Sequence, residues 1–420
     1  MRLAAADARR VAITGVGVVS PIGNDAAEAL DAAIAGRSAI RRLSGPGSER
    51  LGTPLAACVD IDVARYFEAP RLRMLDRVTQ LALLAARQSL QQAELHVREE
   101  QRARAGVFIG SGLGGAHTTD EGYQLLYGQH SDRLKPFTVL MSMGNASAAW
   151  LSIELGLTGP ALTYCTACSS SAVAIGEAWR RVRDGELDIA IAGGAEAPLC
   201  LGVMKAWEAL HVLASIDPVN PAASCKPFSK NRSGLVLAEG AAMLVLEAWQ
   251  QAQRRGAHIL GELIGYGVAT DVSHITRPSV AGQAAAMREA LRSAACAAGD
   301  IDCINAHGTG TPANDAVETA AIKEVFGELA ARLPISATKS VHGHLLGASA
   351  ALELVLALLA MRRGVLLPTM HLEQADEACD LDYVANAARI DARVQTVMSN
   401  AFAFGGTNAV LVARAGRPEG

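Results

Sequence analysis

Aromatic side chains are scarce in this 420-residue chain: Phe, Tyr and Trp together make up 4 % of it. A protein that reads nucleic acid by stacking its bases needs such rings, so that class is excluded. Positive charge is not in excess either. There are 38 Lys and Arg against 42 Asp and Glu, a net charge of −4. No overall basic field exists to draw polyanions, and an acidic partner requires a local basic patch. Long apolar runs are missing too. The most apolar stretch, "HLLGASAALELVLALLAM", carries Glu353 and falls short of a membrane span, so it reads as a buried core helix. The opening "MRLAAADARRVAITGVGVVS" lacks the apolar core of a signal peptide, and the expected location is the cytoplasm. Eight scattered cysteines do not resemble a secreted disulfide framework.

What is present is apolar bulk, 50 % of residues, with 40 glycines that permit close backbone packing. Strand-like runs such as "RRVAITGVGVVS", "AGVFIGSGLGG" and "DIAIAGGAEA" alternate with helix-like ones such as "RVTQLALLAARQSLQQAEL". The alternation indicates an α/β layered protein. A faint internal echo accompanies it. "YCTACSSSAVAIGEAW" and "ATKSVHGHLLGASAALEL" each place reactive side chains at a strand end and then enter a helix of small residues. Two similar halves joined near residue 255, spanning 1–255 and 256–420, account for the echo.

Five short motifs carry the chemistry. Cys165-Thr-Ala-Cys168 has the spacing of a redox dithiol, yet no thioredoxin-like context or second metal-binding pair accompanies it. Cys168 sits at the start of the small-residue helix, where unpaired N–H groups favour a thiolate. Cys165 falls in the preceding strand and reads as a small core hydrophobe. "NAHGTGTPANDAVE" puts His307 between a strand and a loop whose Thr309 and Thr311 hydroxyls suit a ligand-facing wall. "TKSVHGHLLGA" places Lys339 and His344 in a loop before a helix. His342 and His344 also make an HxH pair that, with His307, has the ligand types of a metal site, although no acidic ligand is near in sequence. "GSGLGG" matches a dinucleotide fingerprint but lacks its following acidic residue, and is better read as a tight turn. "SNAFAFGGTN" offers backbone N–H groups suited to an oxyanion hole.

Together these runs, with "RRVAITGVGVVSPIGN", "IAGGAEA" and "CKPFSKNRSGLVLAEGAAMLVLE", resemble one family over essentially the full length. The chain is similar to the β-ketoacyl-acyl carrier protein synthases of the elongating, KAS II-like type, in the thiolase superfamily. The resemblance implies a thiolase-like fold, with two duplicated βαβαβαββ halves forming a five-layered αβαβα core. It implies a decarboxylative Claisen condensation between an acyl group on Cys168 and malonyl-acyl carrier protein, in fatty acid, polyketide or aryl-polyene biosynthesis. By resemblance His307 and His344 stabilise the enolate, Lys339 orients the array, and Glu318 reaches it through a polar network. The N–H groups of Cys168 and Phe404 form the oxyanion hole. Thr276, Thr309 and Thr311 match positions near the carrier's pantetheine arm, and Leu113 and Met204 match the acyl pocket. No metal and no organic cofactor are required, because loss of carbon dioxide drives bond formation.

Two departures bear on substrate choice. Ala403 stands where the family usually has Gly before the gating Phe404, and His342 replaces a commoner Thr. Expected partners are acyl- and malonyl-loaded carrier protein, and a second subunit forming a homodimer or a heterodimer with a chain-length-factor-like chain. Neither nucleic acid nor membrane is expected. Arg71, Arg73, Arg133 and Lys135 are the expected carrier-docking patch. The competing readings are a non-decarboxylating thiolase-fold acyltransferase and a His-site metal hydrolase. A thiolase needs a second catalytic Cys near the C-terminus, whereas the last one here is Cys379.

Overall fold

The computed structural model describes residues 8–44 and 47–416; the first seven residues of the N-terminal segment read above lie outside them. The first half supplies strands β1 (Val11–Val19), β2 (Ala105–Gly110), β3 (Ala161–Tyr164), β4 (Ile189–Glu196) and β5 (Gly240–Ala248). Its long helices are α1 (Arg77–Gln92), α2 (Ala146–Leu155) and α3 (Ser170–Arg183). The second half supplies β6 (Gly261–Thr270), β7 (Cys303–Asn305), β8 (Ile335–Ser336), β9 (Thr396–Phe402) and β10 (Thr407–Ala415). With them come α4 (Val280–Ala294), α5 (Pro312–Phe326) and α6 (Ser349–Arg363). Leaving out shorter insertions, the order βαβαβαββ occurs twice.

The strand pairing repeats with it. β3, β2 and β4 run parallel, and β4, β5 and β1 pair antiparallel. In the second half β8, β7 and β9 run parallel, and β9, β10 and β6 pair antiparallel. The two five-stranded ladders meet edge to edge through three residue pairs of β1 and β6, Val11 with Leu263, Ala12 with Glu262 and Ile13 with Gly261. β1 and β5 are buried at every position, so they read as nearly continuous apolar runs rather than alternating ones, and the polar side chains within them, Thr14 and Glu247, bond each other.

Helices α3 and α6 form the middle layer. α3 packs on β2, β4 and β10, while α6 packs on β5, β9 and α3. Outside lie α1 against β1 and β5, and α4 against β6, β10 and α5. This is the duplicated, five-layered thiolase-type α/β fold. α6 is the most apolar stretch of the chain, and it is buried on nearly all sides, as a central helix must be. Among the described residues no helix is long and apolar enough to cross a membrane. Cys168 follows β3, His307 follows β7, and Lys339 and His344 follow β8. Each therefore lies beyond the C-terminal end of a parallel strand, where α/β sheets build their sites. Lys339 opens a short helical turn, Lys339–His342, rather than lying in a loop.

The close approach of the layers rests on small residues. A Cβ added to Gly176 in α3 would lie 2.4 Å from ring carbons of the buried Tyr266 in β6. Gly176→Ala is expected to cost about 1–3 kcal/mol by overpacking, read as a lowered midpoint in chemical unfolding. An unchanged midpoint would mean that the halves are free to part here.

Candidate active site

β3 ends at Tyr164, and the chain turns through Ala167, Cys168 and Ser169 before α3 begins. Ala167 has φ +50°, a left-handed conformation that a non-glycine residue adopts only under constraint. The serines supply that constraint. Ser170 Oγ accepts from Thr166 N at 2.9 Å and donates to Ala167 O at 2.6 Å. Ser169 Oγ donates to Thr166 O at 2.9 Å, and Ser171 Oγ accepts from Ala351 N of α6 at 3.0 Å. Cys168 is thereby held at the tip of a locked turn, buried. Cys165 is not the core residue expected from sequence. It lies just past β3, exposed, with its Sγ toward Gly112 O at 3.4 Å. Backbone N–H groups favour the Cys168 thiolate, as expected from its place at the helix start, but burial acts the other way. It pushes the thiol up to about 12, outweighing the Lys339 ammonium and the N–H groups of Phe404 and of Cys168 itself, all of which favour the thiolate.

The loop after β7 carries His307. α5 holds it from below through two carboxylates one turn apart. Glu318 accepts from His307 N at 2.8 Å and Gly308 N at 2.9 Å, and Asp315 accepts from Thr309 N at 3.1 Å and Gly310 N at 3.2 Å. Glu318 thus meets the polar array through the histidine's backbone. The group that meets Lys339 directly is Glu353 of α6. Lys339 Nζ donates to Glu353 Oε1 at 2.6 Å and to His307 O at 2.6 Å, and stands 3.4 Å from His307 Nδ1. Burial raises the Glu353 carboxyl pKa, and the adjacent ammonium pulls it back. Sequence reasoning met Glu353 only as a flaw in an apolar run; a carboxylate inside a helix buried all round was the available signal.

An ammonium beside Nδ1 requires that nitrogen to be the acceptor, so the His307 ring proton sits on Nε2. His344 reaches the same tautomer by another route. Leu346 N donates to its Nδ1 at 3.1 Å, with Ser349 Oγ at 2.8 Å. Its Nε2 is buried without a hydrogen-bond partner among the described residues. Burial, then the Lys339 cation, then a neighbouring imidazole hold both histidine pKa values well below the ordinary 6.5, so both rings are neutral at pH 7. The rings meet edge to face at 5.4 Å, and one ligand-type atom from each of Cys168, His307 and His344 lies within 4.8 Å of the others. His342 takes no part. Its ring is spent on Thr338 Oγ1 at 3.0 Å and Gly343 O at 2.7 Å, so the HxH pair does not chelate.

These three side chains line a cavity of about 310 Å³ that also meets Thr309, Thr311, Phe402, Ala403 and Phe404, and reaches the surface at Ile275, Thr276 and Arg277. Leu113 is not in its wall; it is 41 % exposed on the outside. Met204 is not in the wall either, but lies in the buried apolar cluster that includes Cys168. Of the four basic residues, Arg73 and Arg133 are exposed and have no carboxylate in ion-pair range among the described residues. Lys135 pairs with Glu121 at 2.6 Å. Arg71 is not a free surface charge, because it is bound to Glu154 and packed on Phe67 and Trp150.

Glu196, at the end of β4, was not singled out from sequence. It is fully buried and accepts from Gly112 N at 2.6 Å, Leu113 N at 3.1 Å, Gly347 N at 3.1 Å and Ser111 Oγ at 3.1 Å. It ties the "GSGLGG" turn to the loop after His344. Desolvation pushes its carboxyl up to about 7 against those four hydrogen bonds.

Residues 8–252 match the model of the β-ketoacyl synthase N-terminal domain, and residues 260–373 that of the C-terminal domain. The chain is 42 % identical to nodulation protein E of Rhizobium meliloti (strain 1021) over 403 residues, covering 96 % of this chain and 98 % of that one. It is 40 % identical to 3-oxoacyl-[acyl-carrier-protein] synthase 2 of Coxiella burnetii over 410 residues, with the same coverage. Among solved structures it resembles a type II polyketide ketosynthase in complex with its acyl-carrier protein (TM-score 0.90, 31 % identity, covering 98 % of this chain and 100 % of that one). It also resembles the ishigamide ketosynthase/chain length factor (TM-score 0.90, 34 % identity, 98 % and 100 %).

Glu196 makes a stability prediction with a definite sign. Its folded pKa, about 7, lies above its ordinary value of 4.5. The folded state therefore holds the proton more tightly, and the stability this contributes is full below pH 4.5 and lost as pH rises through 7. Wild type should lose on the order of 3 kcal/mol relative to Glu196→Gln across that window, measured by chemical unfolding at several pH values. Parallel curves would show that the carboxyl is ionised throughout.

Proposed function

The chain belongs to the β-ketoacyl synthase family, and we propose that it performs the family's condensation on Cys168 with His307 and His344 as the enolate donors. It is an acyltransferase that works with acyl carrier protein in fatty acid or polyketide biosynthesis. The observation that carries the residue assignment is the gathering of the Cys168 thiol and two histidines of matching tautomer within 4.8 Å at the base of one cavity.

The chemistry then runs in two steps. Cys168 Sγ attacks the carbonyl of an acyl-carrier thioester, the carbon–sulfur bond to the carrier breaks, and the thiol proton leaves with the carrier's sulfur. The tetrahedral oxyanion faces the N–H groups of Cys168 and Phe404, the two that already act on the thiol. Malonyl-carrier follows through the same cavity, with Thr276, Thr309 and Thr311 along its pantetheine arm. Its carboxylate departs as carbon dioxide, and the electron pair moves to the thioester oxygen as an enolate. Two neutral Nε2–H groups donate to that oxygen without giving up their protons. The enolate carbon attacks the acyl group on Cys168, and the sulfur leaves. A thiolate in a site that raises the thiol pKa to about 12 recovers a proton from solvent at once, which restores the enzyme.

Lys339 and Glu353 are positioning residues in this reading, and Glu318 holds the His307 backbone. Leu113, exposed like Tyr127, Val139 and Leu140, belongs to a surface that a second subunit covers, either another copy or a chain-length-factor-like partner. We place the enzyme in the cytoplasm, where carrier-linked synthesis takes place.

Two tests follow. Cys168→Ala should abolish acyl transfer and leave the fold intact. His307→Ala and His344→Ala should still acylate Cys168 but decarboxylate malonyl-carrier about two to three orders of magnitude more slowly. An acyl adduct on Cys165 by mass spectrometry, or normal decarboxylation by either histidine variant, would reject the assignment.

For docking, the charges still free are Arg73 and Arg133. Reversing both to Glu should raise the apparent KM for acyl-carrier substrate roughly tenfold at low salt, with the effect fading above physiological ionic strength. Turnover of a small acyl-thioester mimic should not change. If both substrates respond alike, the carrier docks elsewhere.

A further inference from the structure

Cys168, His307 and His344 have a geometry that the condensation does not use. One ligand-type atom from each lies within 4.8 Å of the others. A thiol and two imidazoles are the ligand types of a three-residue zinc site with its fourth position open. In a tetrahedral site the ligand atoms stand about 3.5 Å apart, so small rotations of the three side chains would bring these into range. Whether a metal can enter turns on the groups behind the rings.

A histidine binds a metal through a bare ring nitrogen and donates its other N–H to a carboxylate, a carbonyl or a water. Here that outer layer is inverted. Lys339 Nζ, which can only donate, stands 3.4 Å from His307 Nδ1. Leu346 N donates to His344 Nδ1 at 3.1 Å. Both rings therefore hold their proton on Nε2, the nitrogen a metal would take. To bind Zn²⁺, the thiol would release its proton to water, and each ring would move its proton from Nε2 to Nδ1. On His307 the moved proton meets an ammonium already held by Glu353 Oε1 and His307 O, each at 2.6 Å. On His344 it meets a backbone N–H fixed in the turn at Leu346, where φ is +47°. The Ser349 hydroxyl, 2.8 Å from that nitrogen, can turn to accept, but the amide cannot. The buried Lys339 charge adds direct repulsion of a second cation.

We propose that Lys339 has a second role, metal exclusion: with the Leu346 amide it holds the ring protons on the two nitrogens a cation needs, and so keeps Zn²⁺ and similar borderline divalent ions off the Cys168 thiol. The same three side chains backed by acceptors would make a metal centre and leave no thiol for a thioester. The role goes beyond the condensation and does not depend on it.

The test uses Co²⁺ as an absorbing stand-in for Zn²⁺, with the thiolate-to-cobalt absorption reporting ligation by the cysteine. Wild type is compared with Lys339→Met and Lys339→Ala, and each is blanked against the same protein carrying Cys168→Ala. Both variants remove the charge. Met fills the space without offering an acceptor, whereas Ala leaves room for a water held by Glu353 Oε1 and His307 O, which can accept from Nδ1. Lys339→Ala should therefore bind Co²⁺ about ten- to a hundredfold more tightly than Lys339→Met, and wild type should bind most weakly. Equal affinities in the two variants would leave charge repulsion as the whole cause, and wild type binding as tightly as Lys339→Ala would remove the exclusion altogether; either overturns the proposal. Should neither variant fold, nitrogen NMR of labelled histidine in wild type decides alone: a proton on Nδ1 of His307 or His344 overturns it, and protons on Nε2 of both support it. Acylation of Cys168, read separately by mass spectrometry, tests the catalytic assignment, and its failure would leave the metal result standing.

Discussion

The ammonium of Lys339 is wholly enclosed, with His307 O and Glu353 Oε1 each at 2.6 Å and His307 Nδ1 at 3.4 Å. A buried cation with one partner removed is worth several kcal/mol of destabilisation, so none of these groups is free to move alone. Through Glu353 the cation is anchored to α6, the helix between the two sheets. Through His307 O it fixes the loop after β7. Through Nδ1 it dictates which ring nitrogen carries the proton. The site's geometry and its protonation pattern thus depend on one buried charge.

Dryness does the rest. The same burial that keeps His307 and His344 neutral pushes the Cys168 thiol up to about 12. In such a site burial opposes the thiolate, while the Lys339 ammonium and the N–H groups of Phe404 and Cys168 favour it. In the proposed reaction its two neutral N–H donors act when a thioester brings developing negative charge. Glu196, pushed up to about 7 by the same desolvation, adds its negative charge to the effects that raise the thiol.

The duplication is visible at the level of single dihedrals. Ala167 at φ +50° precedes Cys168 before α3, and Leu346 at φ +47° precedes Gly347 before α6. One strained turn carries the thiol; its twin carries a residue without a side chain. A Cβ on Gly347 would lie 2.7 Å from Glu196 Oε2. The second turn has therefore become the seat of the clamp that joins the two halves beside Cys168. His344, two residues before Leu346, gets its tautomer from that same turn through the Leu346 N–H.

Much of this could be read from the chain itself. Nearly continuous apolar strands, small-residue helices and the repeated strand-turn-helix pattern are local in sequence, so the α/β layering, the echo of two halves and the candidates Cys168, His307, Lys339 and His344 were legible. What was not legible depends on groups far apart in sequence meeting in a dry interior. Glu353 looked like an interruption until α6 brought it under Lys339. Glu196 lies 151 residues from the Gly347 amide it accepts from. Arg71 looked like surface charge until Glu154 claimed it, and Cys165 and Cys168, three residues apart, ended on opposite sides of exposure. The sequence alone determined which chemistry is available, because side-chain identity is local. Only the tertiary structure decided protonation, pairing and burial, because these are properties of the distance between elements and of the water excluded from between them.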